Sequence, residues 1–166
     1  MVKMKELILA SSSPRRHEIL TSAGIVHKIM TANTEEKTEP GLSSEETVTQ
    51  LAVQKTEAAL FKYGRSENRI YLGADTIVES PDKTILGKPK DRRDAIRMLS
   101  SLSGKTHRVI TGICLSDGIN TVSDYSATKV IMRKVCAEEI EDYVDRYSPY
   151  DKAGAYGIQE KAGVFI

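Results

Sequence analysis

The sequence has no tryptophan, two phenylalanines and two cysteines in 166 residues. Two cysteines are too few for a disulfide framework, and Cys114 and Cys136 match no metal-ligand spacing, so we predict reduced thiols in a cytoplasmic protein. The apolar run near the start, LILA, is too short for the core of a signal peptide, and no later run could span a bilayer. The net charge of +1 predicts no general attraction to nucleic acid or to an anionic membrane.

The overall composition is that of an ordinary globular domain. Apolar residues make up 40% of the chain and charged residues 28%, which argues against disorder and against a coiled coil. A chain of this length buries enough surface for a core of its own. Because the sequence contains no repeat and no Gly/Ser linker, we predict one continuous domain over residues 1–166.

Hydrophobic patterning predicts strands that interleave with helices. We expect helices at 14–23, 45–62, 91–102 and 137–147, and strands at 6–10, 25–31, 69–79, 84–86, 107–115, 121–133 and 163–166. Ser43 and Glu46 form a capping-box pattern, and Asp117-Gly118 is a hairpin signal between two of the strands. The predicted class is therefore α/β with a mixed sheet.

The segment SSSPRR, residues 11–16, follows the first strand and opens the first helix. Backbone N–H groups and the helix dipole favour an anion at such a junction, and arginine side chains suit phosphate oxygens. Two arginines in a first helical turn oppose the dipole unless an anion is bound. We therefore favour a phosphate site over the alternative, a solvated basic turn.

Asp75 lies within a predicted strand in the segment GADTIVE. A buried carboxylate needs a cation, a metal or a hydrogen-bond network, or it simply accepts backbone hydrogen bonds at a strand end; both interpretations stay open. Lys55 falls on the apolar stripe of its helix, where a lysine ordinarily snorkels to solvent but can instead enter a polar cleft. Lys88, between Gly87 and Pro89, suits a phosphate or carboxylate partner, but taken alone the signal is weak, because lysines in turns are usually just solvated.

Three further features carry weaker signals. Glu35 and Glu36 form an acidic loop, which could join Asp75 in holding a hard divalent ion. Gln159 ends the glycine-rich segment 153–159, and its amide can complement the imide edge of uracil or thymine; the alternative is a plain glycine-rich turn between a helix and a strand. His107 alternates with strand residues and is interpreted as structural.

Taken in order, SSSPRR, the EE loop, LAVQK, GADTIV, GKP, HRVITG and DKAGAYGIQ resemble the Maf family of nucleoside triphosphate pyrophosphatases. The resemblance covers roughly residues 6–166. It implies a fold similar to that of the inosine triphosphatases: an elongated mixed β-sheet with flanking helices, and two lobes around a nucleotide cleft. It further implies hydrolysis of a nucleoside triphosphate to the monophosphate and diphosphate, a divalent cation (Mg²⁺ or Mn²⁺), a homodimer and a cytoplasmic location.

The resemblance also assigns roles to individual residues. Asp75 would be the proton acceptor, and Glu35 its catalytic or metal-binding partner. Lys88 and Arg16 would meet the phosphates, with Ser11, Ser13 and Lys55 nearby. In the branch similar to dTTP/UTP pyrophosphatases, the specificity positions correspond to Arg15, Thr76 and Gln159, and all three match.

Two departures from the family pattern accompany this match. Members usually continue past the final strand into a G-D-Y segment, a G-L-P turn and a closing helix, whereas this sequence ends at Ile166. Glu160 stands where members often have glycine. The alternative function is a nucleotide-binding regulator of cell division that does not turn its ligand over.

Overall fold

The computed structural model describes residues 5–166. Six strands in this range run in chain order: β1 (Glu6–Leu9), β2 (His27–Ile29), β3 (Arg69–Glu79), β4 (Ile85–Leu86), β5 (Thr106–Ser116) and β6 (Thr121–Ile131). The helices are α1 (Pro14–Ser22), α2 (Ser44–Tyr63), α3 (Arg92–Leu102) and α4 (Ala137–Tyr147), followed by two short 3₁₀ helices at Ala153–Ala155 and Lys161–Phe165. The described part of the chain contains no helix with the length and hydrophobicity of a membrane span.

The strands form one mixed sheet in the order β2-β1-β3-β5-β6, with β4 paired to β3. Strand β1 lies parallel to both neighbours, with Ile8 opposite Lys28 on one side and Tyr71 on the other. Strands β3 and β4 are antiparallel. The prediction of an α/β fold with a mixed sheet and flanking helices is confirmed.

Local sequence signals place most element ends. The Ser43–Glu46 capping box is confirmed: the Glu46 amide donates to Ser43 Oγ at 3.2 Å, and the Ser43 amide donates to Glu46 Oε2 at 2.8 Å. These bonds satisfy free N–H groups at the start of α2. The β5–β6 turn is closed by the Asp117 amide, which donates to the carbonyl of Asn120 at 3.2 Å.

The last predicted strand, residues 163–166, is wrong, because this segment is a 3₁₀ helix over Lys161–Phe165. The amides of Gly163 and Ile166 donate three residues back, to Glu160 and Gly163, as in a 3₁₀ helix, while the Phe165 carbonyl accepts from the Arg133 amide at 2.8 Å. Phe165 is buried, with its ring centroid 5.3 Å from that of Tyr143. A short apolar run at the end of a chain fits a strand and a buried turn equally well, and here tertiary packing selects the turn.

The chain divides into two compact units. The first comprises residues up to Asp75 together with Thr111–Ser126, and the second comprises Thr76–Ile110 with Ala127–Ile166. In the first unit, Ile8, Ala10, Ala59 and Tyr71 form a buried cluster. In the second, buried side chains of α3 and α4 pack with Val78, Met132 and Phe165.

Candidate active site

The turn between β1 and α1 opens the candidate site in the first unit. Ser13 occupies the N-cap position of α1, but its side chain makes no capping hydrogen bond, and the first turn contains no acidic residue. Ser11 is buried, and its Oγ accepts from the Ser13 amide at 3.3 Å. The start of α1 is therefore arranged as an electropositive helix end of the kind that binds anions.

Arg16 connects this turn to β3. Its Nη1 donates to Ser11 Oγ at 2.9 Å and to the carbonyl oxygen of Ala74 at 2.8 Å. Burial lowers the pKa of Arg16 below its ordinary value, whereas the nearby carboxylates of Asp75 and Glu36 act in the opposite direction. The guanidinium is therefore fixed at the residue that precedes Asp75, within the electrostatic reach of two carboxylates.

Asp75 and Lys55 form an ion pair within the first unit. The Lys55 ammonium contacts the Asp75 carboxylate and also lies 3.0 Å from Glu36 Oε1. The side chains of Lys55 and Asp75 are 20% and 13% exposed, so solvent screens this pair less than a surface pair. The structure thus favours the polar cleft over solvent snorkelling for Lys55, and a cation partner over a simple strand-end role for Asp75. We call Ser11, Arg16, Glu36, Lys55 and Asp75 the charged cluster.

Two glycines explain how α2 approaches the sheet closely enough to form this pair. A Cβ on Gly73 would lie 2.3 Å from Thr56 Oγ1 and 2.6 Å from the carbonyl oxygen of Ala52. A Cβ on Gly112 would lie 2.6 Å from the carbonyl oxygen of Val48. Helix α2 therefore rests directly on the backbone of β3 and β5, which sets the reach of Lys55 to Asp75.

The acidic loop is tied to the same helix by a residue that our sequence analysis did not single out. Gln54 accepts from the Lys37 amide at 3.0 Å and donates to the Lys37 carbonyl at 2.6 Å. Glu36 contacts Lys55, whereas Glu35 is 83% exposed and pairs with Lys37 at 3.2 Å. The only sequence signal for this role was that Gln54 directly precedes Lys55. A single amide side chain in a helix does not indicate that it will bond the backbone of Lys37.

The remaining predicted site residues are distributed over both units. Arg15 follows Pro14 in the first turn of α1 and is half-buried. In the second unit, Thr76 is half-buried on β3, while Lys88 and Gln159 are exposed. The structure therefore brings Ser11, Arg16, Lys55 and Asp75 together, with Ser13 bonded to Ser11. It does not bring Glu35 into the charged cluster.

The donor set of the charged cluster fits a hard divalent cation. Asp75 and Glu36 direct carboxylate oxygens at the same ammonium group. Magnesium in nucleotide enzymes is often held by one or two protein carboxylates together with substrate phosphates, so a larger protein cage is unnecessary. No group of three or more His, Cys, Asp or Glu side chains in residues 5–166 forms such a cage. The arrangement is suited to a cation that arrives with a phosphate-bearing ligand.

The fold belongs to a known class. The Staphylococcus aureus Ham1 protein superimposes with a TM-score of 0.53 over 77% of this chain and 72% of that one, at 15% sequence identity. At this identity the likeness establishes a shared fold only. The class is an α/β protein with an open mixed sheet and flanking helices.

Sequence comparison is more specific, and the chain belongs to the Maf-like protein family, whose model matches residues 6–166. A dTTP/UTP pyrophosphatase from Alkaliphilus oremlandii is 45% identical over 98% of this chain and 84% of its own length. Proteins of the same name from Bacillus cytotoxicus and Acetivibrio thermocellus are 44% and 42% identical, with 83% and 84% of their lengths covered.

Proposed function

We propose that this protein is a nucleoside triphosphate pyrophosphatase that hydrolyses dTTP and UTP to the monophosphate and diphosphate. Membership of the Maf-like family and the names of its relatives support the reaction class. The observation that carries the proposal is the charged cluster, in which a partly buried carboxylate, a lysine and an arginine meet beside a helix N-terminus. This combination is suited to a polyphosphate and to a water molecule that attacks it.

Asp75 is the proposed proton acceptor for the attacking water. Lys55 holds its carboxylate in place through an ion pair, and the Arg16 bond to the Ala74 carbonyl fixes the preceding residue. A carboxylate fixed in this way can orient a water molecule toward the α-phosphorus and accept its proton as the bond to diphosphate breaks. The proposed role of Asp75 thus follows from its anchored position.

Cationic groups are proposed to stabilise the diphosphate that leaves. Arg16 and the N-terminus of α1, with the Ser11 and Ser13 hydroxyls, supply donors in the first unit. Lys88 is proposed to meet the phosphates as well, and Arg15, Thr76 and Gln159 are proposed to select thymine or uracil. These assignments rest on the family resemblance at each position.

A divalent cation, Mg²⁺ or Mn²⁺, is proposed as the cofactor. Asp75 is one proposed ligand, and the family resemblance makes Glu35 the other, although it is Glu36 and not Glu35 that contacts Lys55 beside Asp75. When bound, the cation would neutralise phosphate charge and acidify a nearby water. The resemblance also supports a homodimer, which light scattering would test, and a cytoplasmic location, where nucleoside triphosphates are available.

The decisive experiment is an assay of diphosphate release with Mg²⁺ from a panel of canonical and modified nucleoside triphosphates. We expect dTTP and UTP to be the preferred canonical substrates. The Asp75→Asn variant keeps the shape of the side chain but not its basicity, so its kcat should fall about 100-fold or more. The matched control is Asp142→Asn, which removes a carboxylate paired with Arg146 on the surface of α4.

The control should retain full turnover. Near wild-type turnover of Asp75→Asn would remove Asp75 from the mechanism. Saturable binding of dTTP by the wild-type protein without diphosphate release would instead support the alternative, a nucleotide-binding regulator.

A further inference from the structure

The segment 153–157, Ala-Gly-Ala-Tyr-Gly, has an unusual backbone in the second unit. Gly154 and Ala155 both have left-handed φ values, 67° and 62°. This conformation is accessible to glycine but costs an alanine roughly 1–2 kcal/mol. Ala155 is also completely buried. A strained, buried alanine persists only where the surrounding contacts impose the conformation.

Contacts on two sides impose it. The Gly154 amide donates to the carbonyl of Gly87, the residue before Lys88, at 3.0 Å. A Cβ on Gly154 would lie 3.0 Å from a methyl carbon of Val78, so the backbone is packed directly against β3. The segment is therefore attached both to the loop that carries Lys88 and to the central strand.

A third contact is a hydrogen bond between two buried side chains. His107 Nε2 and the Tyr156 hydroxyl lie 2.5 Å apart, with their rings perpendicular, and the two residues are 2% and 7% exposed. Burial lowers the pKa of His107 and raises that of Tyr156, so both groups are neutral near pH 7. The other ring nitrogen, His107 Nδ1, has no hydrogen-bond partner among residues 5–166.

The buried His107–Tyr156 pair stabilises the core less than an apolar pair would. A buried polar nitrogen without a partner costs about 1–3 kcal/mol, and an apolar pair of the same size would avoid that cost. A single hydrogen bond of ordinary strength contributes only about 1 kcal/mol in return. The advantage of the pair is that a hydrogen bond is directional: it holds the Tyr156 ring in one orientation against His107 on β5.

Gln159 lies three residues beyond that fixed point, in a turn closed at its other end. The Glu160 amide donates to the Gly157 carbonyl at 3.0 Å, and the Glu160 carboxylate pairs with Lys152 at 3.3 Å. Residues 158–160 are exposed, whereas 154–157 are buried. The exposed turn that presents the Gln159 amide is thus held between the Tyr156 anchor and the Lys152 ion pair.

We infer that His107 is a positioning residue: through its hydrogen bond to Tyr156 it sets where the Gln159 amide lies, and thereby how well the enzyme distinguishes a pyrimidine with an imide edge from other bases. The inference rests on the proposed function of Gln159 in base selection. His107 and Tyr156 need not touch the substrate, and the proton of the attacking water goes to Asp75, not to either of them.

The test compares Tyr156→Phe, His107→Ala and His107→Gln with the wild-type protein, using UTP, dTTP and dCTP as substrates. Tyr156→Phe removes only the hydroxyl, and His107→Gln keeps a polar group near the position of Nε2. The matched control is Tyr71→Phe, which removes the hydroxyl of another buried tyrosine, bonded to the Gly64 carbonyl in the first unit.

We expect Tyr156→Phe and His107→Ala to raise KM for UTP and dTTP about tenfold, with kcat changed less than about threefold. Their preference for UTP over dCTP should fall by a similar factor. His107→Gln should recover most of the preference, and the control should resemble wild type. An unchanged preference, or a loss confined to kcat, would overturn the inference.

A second measurement does not depend on activity. Hydrogen exchange of the amides in 156–160 should become at least about tenfold faster in Tyr156→Phe and His107→Ala, but not in Tyr71→Phe. Unchanged exchange would show that His107 does not position this turn, whatever the substrate. Faster exchange in a protein without pyrophosphatase activity would reject the proposed function while leaving the anchoring of the turn intact.

Discussion

Within the charged cluster, Lys55 is the residue that contacts both carboxylates. Its ammonium meets the carboxylates of Asp75 and Glu36, while its side chain is only 20% exposed. Two carboxylates around one ammonium leave the group with an excess of negative charge. Arg16 lies close enough to interact with both carboxylates and brings the formal charge of the cluster to zero. The cluster therefore offers two carboxylates to a cation and two cationic groups to phosphate oxygens, in equal number.

The two glutamates of the acidic loop allow a direct comparison of neighbouring residues. We predict that Glu35→Gln lowers kcat at least tenfold and raises the Mg²⁺ concentration needed for half-maximal activity, because Glu35 is the proposed second cation ligand. Glu36→Gln should change kcat less than about threefold, since Asp75 still pairs with Lys55. Steady-state assays over a range of Mg²⁺ concentrations measure both effects. The reverse order of the two variants would transfer the ligand role to Glu36.

At the scale of elements, the contact of α2 with the sheet determines the geometry of the cluster. Helix α2 supplies Lys55, and strand β3 supplies Asp75. Their close approach depends on Gly73 and Gly112, where the helix backbone occupies the space of a side chain. The Thr56 hydroxyl lies 2.9 Å from the Ala52 carbonyl in its own helix and 3.2 Å from the Cys114 carbonyl on β5, so its proton is shared between helix and sheet.

Gly73→Ala should separate α2 from β3. The added methyl would lie 2.3 Å from Thr56 Oγ1 and 2.6 Å from a backbone oxygen, and backbone atoms cannot move aside as a flexible side chain can. We predict a loss of about 2–3 kcal/mol in the free energy of unfolding, or about 5–10 °C in Tm. Turnover at a temperature where the variant remains folded should also fall, because Lys55 and Asp75 move apart.

Gly87→Ala is the control for this prediction, because a Cβ there meets nothing within 4 Å. Its Tm should stay within about 2 °C of wild type. Thermal unfolding and diphosphate release measure the two consequences. Equal stability of Gly73→Ala and Gly87→Ala would show that the close contact does not constrain the helix.

At the scale of the whole molecule, stability should depend on pH through buried groups. Burial lowers the pKa of His107 from its ordinary value of 6.5. The unfolded chain therefore binds a proton at His107 before the folded protein does, as pH falls through about 6.5. The contribution of His107 to the free energy of unfolding is constant above that range. Below it, this contribution decreases by at most about 1.4 kcal/mol per pH unit until the pH reaches the pKa of His107 in the folded protein.

His107→Gln removes this titrating group. We predict that the wild-type protein loses more free energy of unfolding than the variant between pH 7.5 and pH 5.5, by at most about 1.4 kcal/mol. Urea denaturation of both proteins at the two pH values provides the measurement. Two proteins that lose stability in parallel would show that His107 is not the source of the slope. Carboxylates with lowered pKa values, such as Glu139 beside Arg133, lose their contribution only at lower pH.

Most of the secondary structure could be predicted because its causes are local. Strand β3 and helix α4 begin and end where the pattern of apolar residues indicated, and the Ser43–Glu46 box starts α2 through atoms only three residues apart. The final segment could not be predicted, since its 3₁₀ conformation depends on the burial of Phe165 against Tyr143. Periodicity cannot distinguish two conformations of a short apolar run.

The identities of the reactive groups were readable from motifs, but their partners were not. The motifs SSSPRR and GADTIV, and the family to which the chain belongs, could be recognised because a motif is defined by residue types at set spacings along the chain. The pairing of Lys55 with Asp75 spans 20 residues, and that of His107 with Tyr156 spans 49. Such contacts depend on how closely a helix or a turn packs on the sheet. The close contacts at Gly73 and Val78, which exist only in the folded chain, therefore determine which side chains meet.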